Sequence, residues 1–518
     1  MRIAVAGGGP GGLFFAAMIR RLDPSVEVTV FERNRADDTF GFGVVFSDRT
    51  LAGIHDADPL LRRALDEHGR HWDDIEIRLK GERVRCGGNG MSAIVRRTLL
   101  SLLQDRARDA GAGLRFSTEV RLPDLAGYDL VVAADGTGSR IRDQLDFGGE
   151  VETAAAKFIW FGTDYLFDGL TFVHERGPDG VFAVHGYPIS AEMSTFIVET
   201  DEASWRRAGL DAFDVTQPPG PSDLASKAYL EELFASQIDG RRLLTNNSRW
   251  GNFRTRRTKR WHTMTPQPVV LLGDAAHTAH FSVGSGTKMA MEDAMALARA
   301  LAAHGGDLPA ALAAYEEAAQ PSVQQVQDAA RPSLSWWEHF GRYHDAFEPW
   351  QFAYHFLSRS ITDARLARRA PAFVEASHRR WVEKHGAEPL DTPFESGGWR
   401  IGGRLVAISA DADGTPTAAH DLPLSATPRP GPWGAVLIAP DTEAGLPEVF
   451  ARLADLAEPG GPALVAVAGG TPLTRVLLCE QARMHHGLPA LAVEPAPDRD
   501  RARTLVLSGR ADLVGVAA

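Results

Sequence analysis

The 518-residue chain contains only two cysteines, Cys86 and Cys479. Two thiols cannot build a disulfide framework or a four-thiolate metal site, and no metal is expected; so sparse a use of cysteine suits a reducing compartment. No apolar run approaches the roughly 20 residues that a membrane-spanning helix requires. The chain opens directly on a strand-like run, so neither a signal nor a transit peptide is expected, and a cytoplasmic location is the expectation. Basic residues are in the minority. Against 67 Asp and Glu stand 55 Lys and Arg, a net charge of −12, which argues against general affinity for nucleic acid and requires that any anionic ligand be held by a local cluster of cations. With 44% hydrophobic and 24% charged residues the composition is globular. The length exceeds what one core organises, so two to four domains are expected.

Glycine is plentiful, and its placement is informative. Ile3-Ala4-Val5-Ala6 is an apolar run, followed by Gly7-Gly8-Gly9-Pro10-Gly11-Gly12, a helical run Leu13–Leu22, and a second apolar run Val26–Phe31 ending on Glu32 and Arg33. Gly7, Gly9 and Gly12 fill the G-x-G-x-x-G positions. The first permits the tight turn, the second lets backbone approach a pyrophosphate, and the third lets helix pack on strand. The helix N-terminus then offers unpaired N–H groups to phosphate, and Glu32 is placed to accept hydrogen bonds from a ribose. Context on both sides makes this a dinucleotide-binding turn.

Two further strand ends carry acids. Leu130–Ala134 leads into Asp135-Gly136, and Val269–Leu272 leads into Gly273-Asp274, with Gly284-Ser285-Gly286 before a helix. A carboxylate at such a strand end faces the ligand crevice of a doubly wound sheet. Gly41 and Gly43, beside Val44, mark backbone passing close to something flat or bulky. Leu51–His68 reads as helix, Ile75–Arg85 as an exposed strand, and Met91–Ala110 as a helix with Arg96 at its start. Between residues 157 and 200 the texture changes to short strands with turn signals, an inserted antiparallel sheet. Arg249–Arg260 is locally basic, either a hold for the phosphates of a nucleotide-bearing substrate or a solvated strand edge. The aromatics between Trp336 and Phe356 form a stripe expected to pack helices.

These features divide the chain into a discontinuous dinucleotide-binding domain (1–155 and 245–330, with 75–90 a candidate to join the inserted sheet), a β-sheet substrate domain (156–244), a helical segment (331–388) and a small C-terminal α/β unit (389–518). The fold class is α/β, with a Rossmann-like domain interrupted by an antiparallel sheet.

The three ordered motifs, Gly7–Gly12, Asp135-Gly136 and Gly273-Asp274, resemble those of the class A FAD-dependent aromatic monooxygenases. The segment Asp38–Asp48, the run Gly273–Lys288 with His280-Phe281 where most of that class carry prolines, and Phe196-Ile197-Val198-Glu199 are similar to the branch acting on salicylyl-CoA and 2-aminobenzoyl-CoA. Thr392-Pro393-Phe394 with Arg404–Ala407, and Gly509–Val514, resemble the opening and last strand of an old-yellow-enzyme-like barrel. The stretch between them is too short for eight βα units, which need roughly 200 residues or more, so an incomplete barrel without its own FMN is expected.

The resemblance implies FAD held by Gly7, Gly9, Pro10, Gly12, Glu32, Arg33, Gly43, Val44, Arg96, Asp135, Gly136, Gly273, Asp274, Gly284, Ser285 and Gly286, with NADH or NADPH and O2 as co-substrates. It implies 5-hydroxylation of salicylyl-CoA to gentisyl-CoA through a C4a-hydroperoxyflavin. Arg254, Arg256 and Arg257 are the candidate cations for the CoA phosphates, and His185, Tyr187 and His280 the candidate groups for the ring hydroxyl. A 2-aminobenzoyl-CoA, a free or carrier-bound aromatic such as an indole, or a non-catalytic flavin-binding scaffold are the alternatives. A homo-oligomer is compatible with all of them.

Overall fold

The computed structural model describes every residue except Phe40, Pro219, Ser285, Pro459 and Ala518. The chain divides into two compact units, Met1–Gly81 with Gly88–Gly341, and Glu82–Gly87 with Arg342–Ala518.

The first unit is built on a sheet in the order His262–Thr263, Val269–Leu271, Leu130–Ala133, Arg2–Ala6, Glu27–Phe31, Gly113–Arg115. All neighbours are parallel except the first pair. Ile3–Val5, Leu130–Ala133 and Val269–Leu271 are buried throughout, as continuous apolar runs covered on both faces must be. The helix Pro10–Leu22 returns the chain between the first two strands and packs on the helix Gly286–Ala303. Gly11 permits that approach, because a Cβ there would lie 2.5 Å from Leu272 and 3.2 Å from the Ala290 Cβ. The three strands that end in the recognised motifs are therefore adjacent, and their C-terminal tips share one crevice.

The inserted sheet runs Leu243–Leu244, Gly149–Thr163, Ser194–Thr200, Gly180–Pro188, Leu170–Gly177, Ile75–Leu79, with Gly251–Thr258 also pairing the long strand Gly149–Thr163. Side chains alternate across a strand, so register assigns them to faces. Ile159, Phe161, Val173, Phe182, Val184, Phe196 and Val198 form one cluster with Leu230, Phe234 and Ile238. The opposite face carries Phe158 and Trp160, Ile197 and Glu199, His185 and Tyr187, and Phe172 and His174. Trp337, from the long helix Leu308–Ala346, covers part of that second face, its ring 4.2 Å from His185 and 5.8 Å from Phe172.

Two sequence expectations are corrected. Met91–Val95 is a strand between Gly43–Ser47 and Arg70–Trp72, and the helix starts at Arg96. The apolar run is too short for its period to separate strand from helix, and Ile94 and Val95 are β-branched. Ile75–Leu79 is a strand but a buried one, its two charges neutralising one another through Arg78 Nε donating to Glu76 Oε1 at 2.7 Å.

In the second unit, the helices Pro349–Leu357, Asp363–Arg369 and Pro371–His385 precede a ring of seven strands. Only the last four strands are connected by helices: Leu446–Leu456, Pro472–His485 and Arg499–Leu507. The ring expected to be incomplete closes, because the antiparallel strands Pro416–Ala419 and Leu422–Ser425 take the place of βα units and Leu405–Ala410 pairs in parallel with Leu513–Ala517. Its interior is filled by Val406, Ile408, Leu422, Leu424, Val436, Leu464, Leu491 and Leu513. Gly515 is the residue that admits Ile408, since a Cβ there would lie 2.5 Å from Ile408 Cγ1. Cys86 and Cys479 are both buried.

Candidate active site

At the first motif Gly7 adopts φ +114° and passes so close to the second that a Cβ would lie 2.2 Å from the Ala134 carbonyl oxygen. A Cβ on Gly12 would lie 2.2 Å from the Gly7 oxygen. Gly9, by contrast, would direct a Cβ into open space, and it begins the helix with no side chain capping the first amides. Pro10 follows at the first helical position, where its missing N–H costs nothing. The result is an uncapped helix N-terminus with no side chain close to Gly9, which suits a pyrophosphate. Glu32 accepts Gly8 N–H at Oε2 and Asn34 N–H at Oε1, each at 2.8 Å. Each carboxylate oxygen keeps a further lone pair for a ribose hydroxyl. Arg33 beside it is exposed.

The second and third motifs are fastened together by Arg142, which sequence reading had not singled out. This buried guanidinium donates from Nη1 to the Ala275 carbonyl at 3.0 Å and from Nη2 to the Thr137 carbonyl at 3.2 Å. Asp135 Oδ2 accepts Arg140 N–H at 2.8 Å, whereas its buried Oδ1 has no partner among the described residues. Gly136 turns at φ +83° and Gly273 at φ +62°. Gly273 N–H donates to Asp293 Oδ2 at 3.0 Å, and the same oxygen lies 2.7 Å from His277 Nε2, so the Gly-Asp turn is pinned to the following helix. Asp274 is left facing the crevice. Burial raises its carboxyl above the ordinary range, opposed by His277 and Arg96. Arg96 is in turn lowered by burial, opposed by Asp274 and Tyr187.

Two glycine loops border the crevice. Asn246 Nδ2 donates to the carbonyls of Thr39 and Gly41 at 3.1 and 2.8 Å, stitching the first loop to the inserted sheet. Gly43 opens a strand whose Val44 is buried, and a Cβ on Gly43 would lie 2.3 Å from Ile189. Gly284 lies at φ +61°, and a Cβ on it would approach Val45 to 3.2 Å, so the two loops meet. Gly286 opens the helix beyond; Ser285 lies outside the described residues.

The charged face of the inserted sheet brings His185 and His280 together around a group not among the expected candidates. Glu199 Oε1 lies 3.7 Å from His185 Nε2 and 3.4 Å from His280 Nε2. Glu199 is 1% exposed, and among the described residues neither of its carboxylate oxygens accepts a hydrogen bond. Burial pushes its carboxyl up to about 7, opposed by His280. In the sequence it closes the apolar run Phe196–Val198, a segment that carries the resemblance to the aryl-CoA branch but assigns Glu199 no role. Rings of Phe158, Phe253, Phe281 and Trp337 surround the group. Tyr187 lies apart from it, against Trp72 and Arg96, and burial raises its hydroxyl to about 12, opposed by the Thr195 hydrogen bond and Arg96. At neutral pH it is a hydrogen-bond donor and not a base.

The basic strand Gly251–Thr258 separates its cations by face. Arg257 pairs with Asp328 at 3.1 Å and bonds Gln327, and Arg249 is spent on the carbonyls of Val215, Gln217 and Pro218. Arg254 and Arg256, two residues apart, share the other face with Arg142 nearby. Burial lowers the Arg256 guanidinium, and Arg142 and Arg254 lower it further, opposed by Asp143.

An uncapped helix start, an acid for the ribose, an unpartnered Asp135 oxygen and an inserted sheet over the same crevice fit FAD and point to a flavoprotein. Residues 1–330 match the family described as FAD binding domain, and the chain belongs to that family. It is 58% identical over 524 residues, 99% of each chain, to a salicyloyl-CoA 5-hydroxylase from a Streptomyces species. It is 39% identical over 338 residues to a 3-hydroxy-4-methyl-anthranilyl-[aryl-carrier protein] 5-monooxygenase from Streptosporangium sibiricum, a match covering 65% of this chain and 89% of that one. The fold is shared with the tetrameric form of 2-methyl-3-hydroxypyridine-5-carboxylic acid oxygenase at a TM-score of 0.52 and 20% identity, covering 70% of this chain and 98% of that structure. The protein is an FAD-dependent monooxygenase of aromatic rings. No described helix is long and apolar enough to cross a membrane.

Proposed function

We propose that the protein hydroxylates the ring of an aromatic acyl-CoA thioester, converting salicylyl-CoA to gentisyl-CoA with NAD(P)H and O2. The observation that carries this reading is the 58% identity to a salicyloyl-CoA 5-hydroxylase over 99% of both chains, C-terminal unit included. Bound FAD, once reduced by NAD(P)H, supplies the activation of O2. One oxygen atom goes to the ring and the other leaves as water.

The chain itself has four tasks. Gly7, Gly9, Pro10, Gly12, Glu32 and Arg33 hold the adenosine diphosphate half. Arg96, Asp135, Gly136 and Asp274 fix the remainder against the crevice, with Gly43, Val44, Gly273, Gly284 and Gly286 keeping the backbone close; Ser285 is proposed as a further cofactor contact on the sequence motif alone. The rings of Phe158, Phe253, Phe281 and Trp337 keep water from the reacting centre. Arg254 and Arg256 hold the phosphates of CoA as paired, unspent cations; Arg257, anchored to Asp328, contributes through the field rather than by contact.

The similarity to a monooxygenase of a carrier-protein thioester favours one second reading, a carrier-bound aryl substrate. Both thioesters share the phosphopantetheine arm, but only CoA carries the 3′-phosphoadenosine. The test is therefore substrate-stimulated NAD(P)H oxidation, with products identified by mass, using salicylyl-CoA, 2-aminobenzoyl-CoA, salicylyl-pantetheine and free salicylate. A hydroxylated CoA product is expected, with Arg254→Glu and Arg256→Glu raising KM about tenfold or more for the CoA ester and little for the pantetheine ester. Turnover of the pantetheine ester with equal KM to the CoA ester would favour the carrier reading. Oxidation of NAD(P)H without any hydroxylated product would count against both.

A further inference from the structure

A buried carboxylate with no hydrogen-bond donor is costly, and proteins retain one where it has work to do. Glu199 is such a group, on the sheet face that also carries Tyr187, through which the sheet reaches Arg96 and Asp274. His280 stands in the loop that follows Asp274. Among the described residues, His185 on the neighbouring strand, His174 further along the same row of the sheet and His280 on the loop are the titratable groups on this side of Glu199, with the rings of Phe158, Phe253, Phe281 and Trp337 packed beside them.

The tautomer of His280 follows from its bonds. Its Nδ1 accepts Ser282 N–H at 3.3 Å and lies 2.7 Å from Ser282 Oγ. A nitrogen that accepts cannot carry the proton of a neutral ring, so the proton is on Nε2, the nitrogen facing Glu199. His280 is thus a donor toward the carboxylate and has no basic nitrogen to offer a substrate. Tyr187 is neutral at the working pH. On the same face stands Glu199, neither of whose oxygens is hydrogen-bonded to a described residue, with His280 Nε2 3.4 Å and His185 Nε2 3.7 Å from Oε1.

We propose that Glu199 is the base that takes the proton of the substrate's ring hydroxyl group, with His185 and His280 holding its carboxylate in place. In that step the hydroxyl O–H bond breaks and the proton joins a Glu199 oxygen. The electron pair stays on the ring oxygen, which makes the carbon para to it electron-rich and ready for oxygen transfer. The assignment rests on the aromatic hydroxylase reading above. Burial, opposed by His280, sets the carboxyl at about 7, so it is ionised in the free enzyme above that pH and able to accept.

The test uses full-length FAD-loaded enzyme, with salicylyl-CoA and with benzoyl-CoA, which lacks the hydroxyl. In wild type at pH 8 the difference spectrum of bound salicylyl-CoA should show the red-shifted phenolate band, and benzoyl-CoA should show none. Glu199→Gln should keep FAD, bind salicylyl-CoA within threefold by flavin perturbation, lose the phenolate band, and lose about 100-fold or more in turnover. The limb near pH 7 in its kcat/KM profile should disappear. Salicylyl-CoA bound to wild type as the neutral phenol overturns the assignment whatever the variant does. So does a Glu199→Gln enzyme that retains the band, or that retains turnover with an unchanged pH profile. A phenolate band with no hydroxylated product overturns the hydroxylase reading and leaves the base assigned.

Discussion

At the scale of single residues, Glu199 has a price in stability whose sign can be worked out. Its folded carboxyl is raised from 4.5 to about 7, so the folded protein holds that proton more tightly than the unfolded chain does. The penalty for burying the ion is absent below the unfolded value, grows as pH rises, and is complete above about 7. A shift of that size is on the order of 3 kcal/mol. Gln at position 199 has the same shape and never ionises. The difference in Tm between Glu199→Gln and wild type should therefore move in the variant's favour by several degrees between pH 5 and pH 8.5. Parallel melting curves at the two pH values would mean that the carboxylate is solvated or paired in solution, and the strain assigned to it would be withdrawn. The converse holds for Tyr187, whose hydroxyl is neutral throughout that range and adds nothing to the pH dependence.

At the scale of elements, the crevice depends on three strand tips keeping their spacing. Arg142 is the joint between two of them, bonding the Thr137 and Ala275 carbonyls from a buried position. Removing the guanidinium leaves those acceptors without their donor, at about 1–3 kcal/mol each where water cannot replace it. Arg142→Ala should lower Tm and weaken FAD by about tenfold, read as flavin fluorescence released on dilution; a variant that holds FAD as wild type does would show that the two tips are positioned independently. The three tips themselves were readable from the chain, because each is an apolar run ended by glycine and acid, a local pattern. What was not readable is whatever depends on segments far apart meeting. His185, Glu199 and His280 come from two strands and a loop, and no local pattern announces that their side chains converge. The basic run between Arg249 and Arg260 was visible, but only pairing with Asp328, with backbone carbonyls, and with a neighbouring strand sorts Arg254 and Arg256 from the structural arginines. Met91–Val95 was misread for the opposite reason. Five residues span little more than one helical turn, and it is the strands on either side, Gly43–Ser47 and Arg70–Trp72, that decide its conformation.

At the scale of the whole molecule, the chemistry and the C-terminal unit are separable in sequence. The 338-residue match to the carrier-protein monooxygenase covers 89% of that relative, which leaves it no room for a second unit of this size. Within the second unit the ring interior is filled by aliphatic side chains. At the strand end where a phosphate would need a glycine, Glu494 accepts Arg501 Nε–H at 2.7 Å and pairs with Arg475. The unit is held to its own preceding helices by polar contacts as well as packing. Tyr343 donates to Glu480 at 2.5 Å, His355 lies 3.1 Å from the same carboxylate, and Arg510 donates to the His355 carbonyl at 2.6 Å. Burial lowers His355 to about 3, with Arg510 adding to the effect and Glu480 opposing it, so the pair is a neutral imidazole on an ionised acid. Deleting Pro389–Ala518 takes away Glu480 and Arg510 and so removes the partners of the buried Tyr343 and His355. The truncated chain should express poorly, melt early and bind an apolar dye, while its folded, FAD-loaded fraction oxidises NAD(P)H in response to salicylyl-CoA within about threefold of wild type per flavin. Turnover that falls tenfold or more in a soluble, flavin-loaded truncation would instead assign the second unit a part in the reaction.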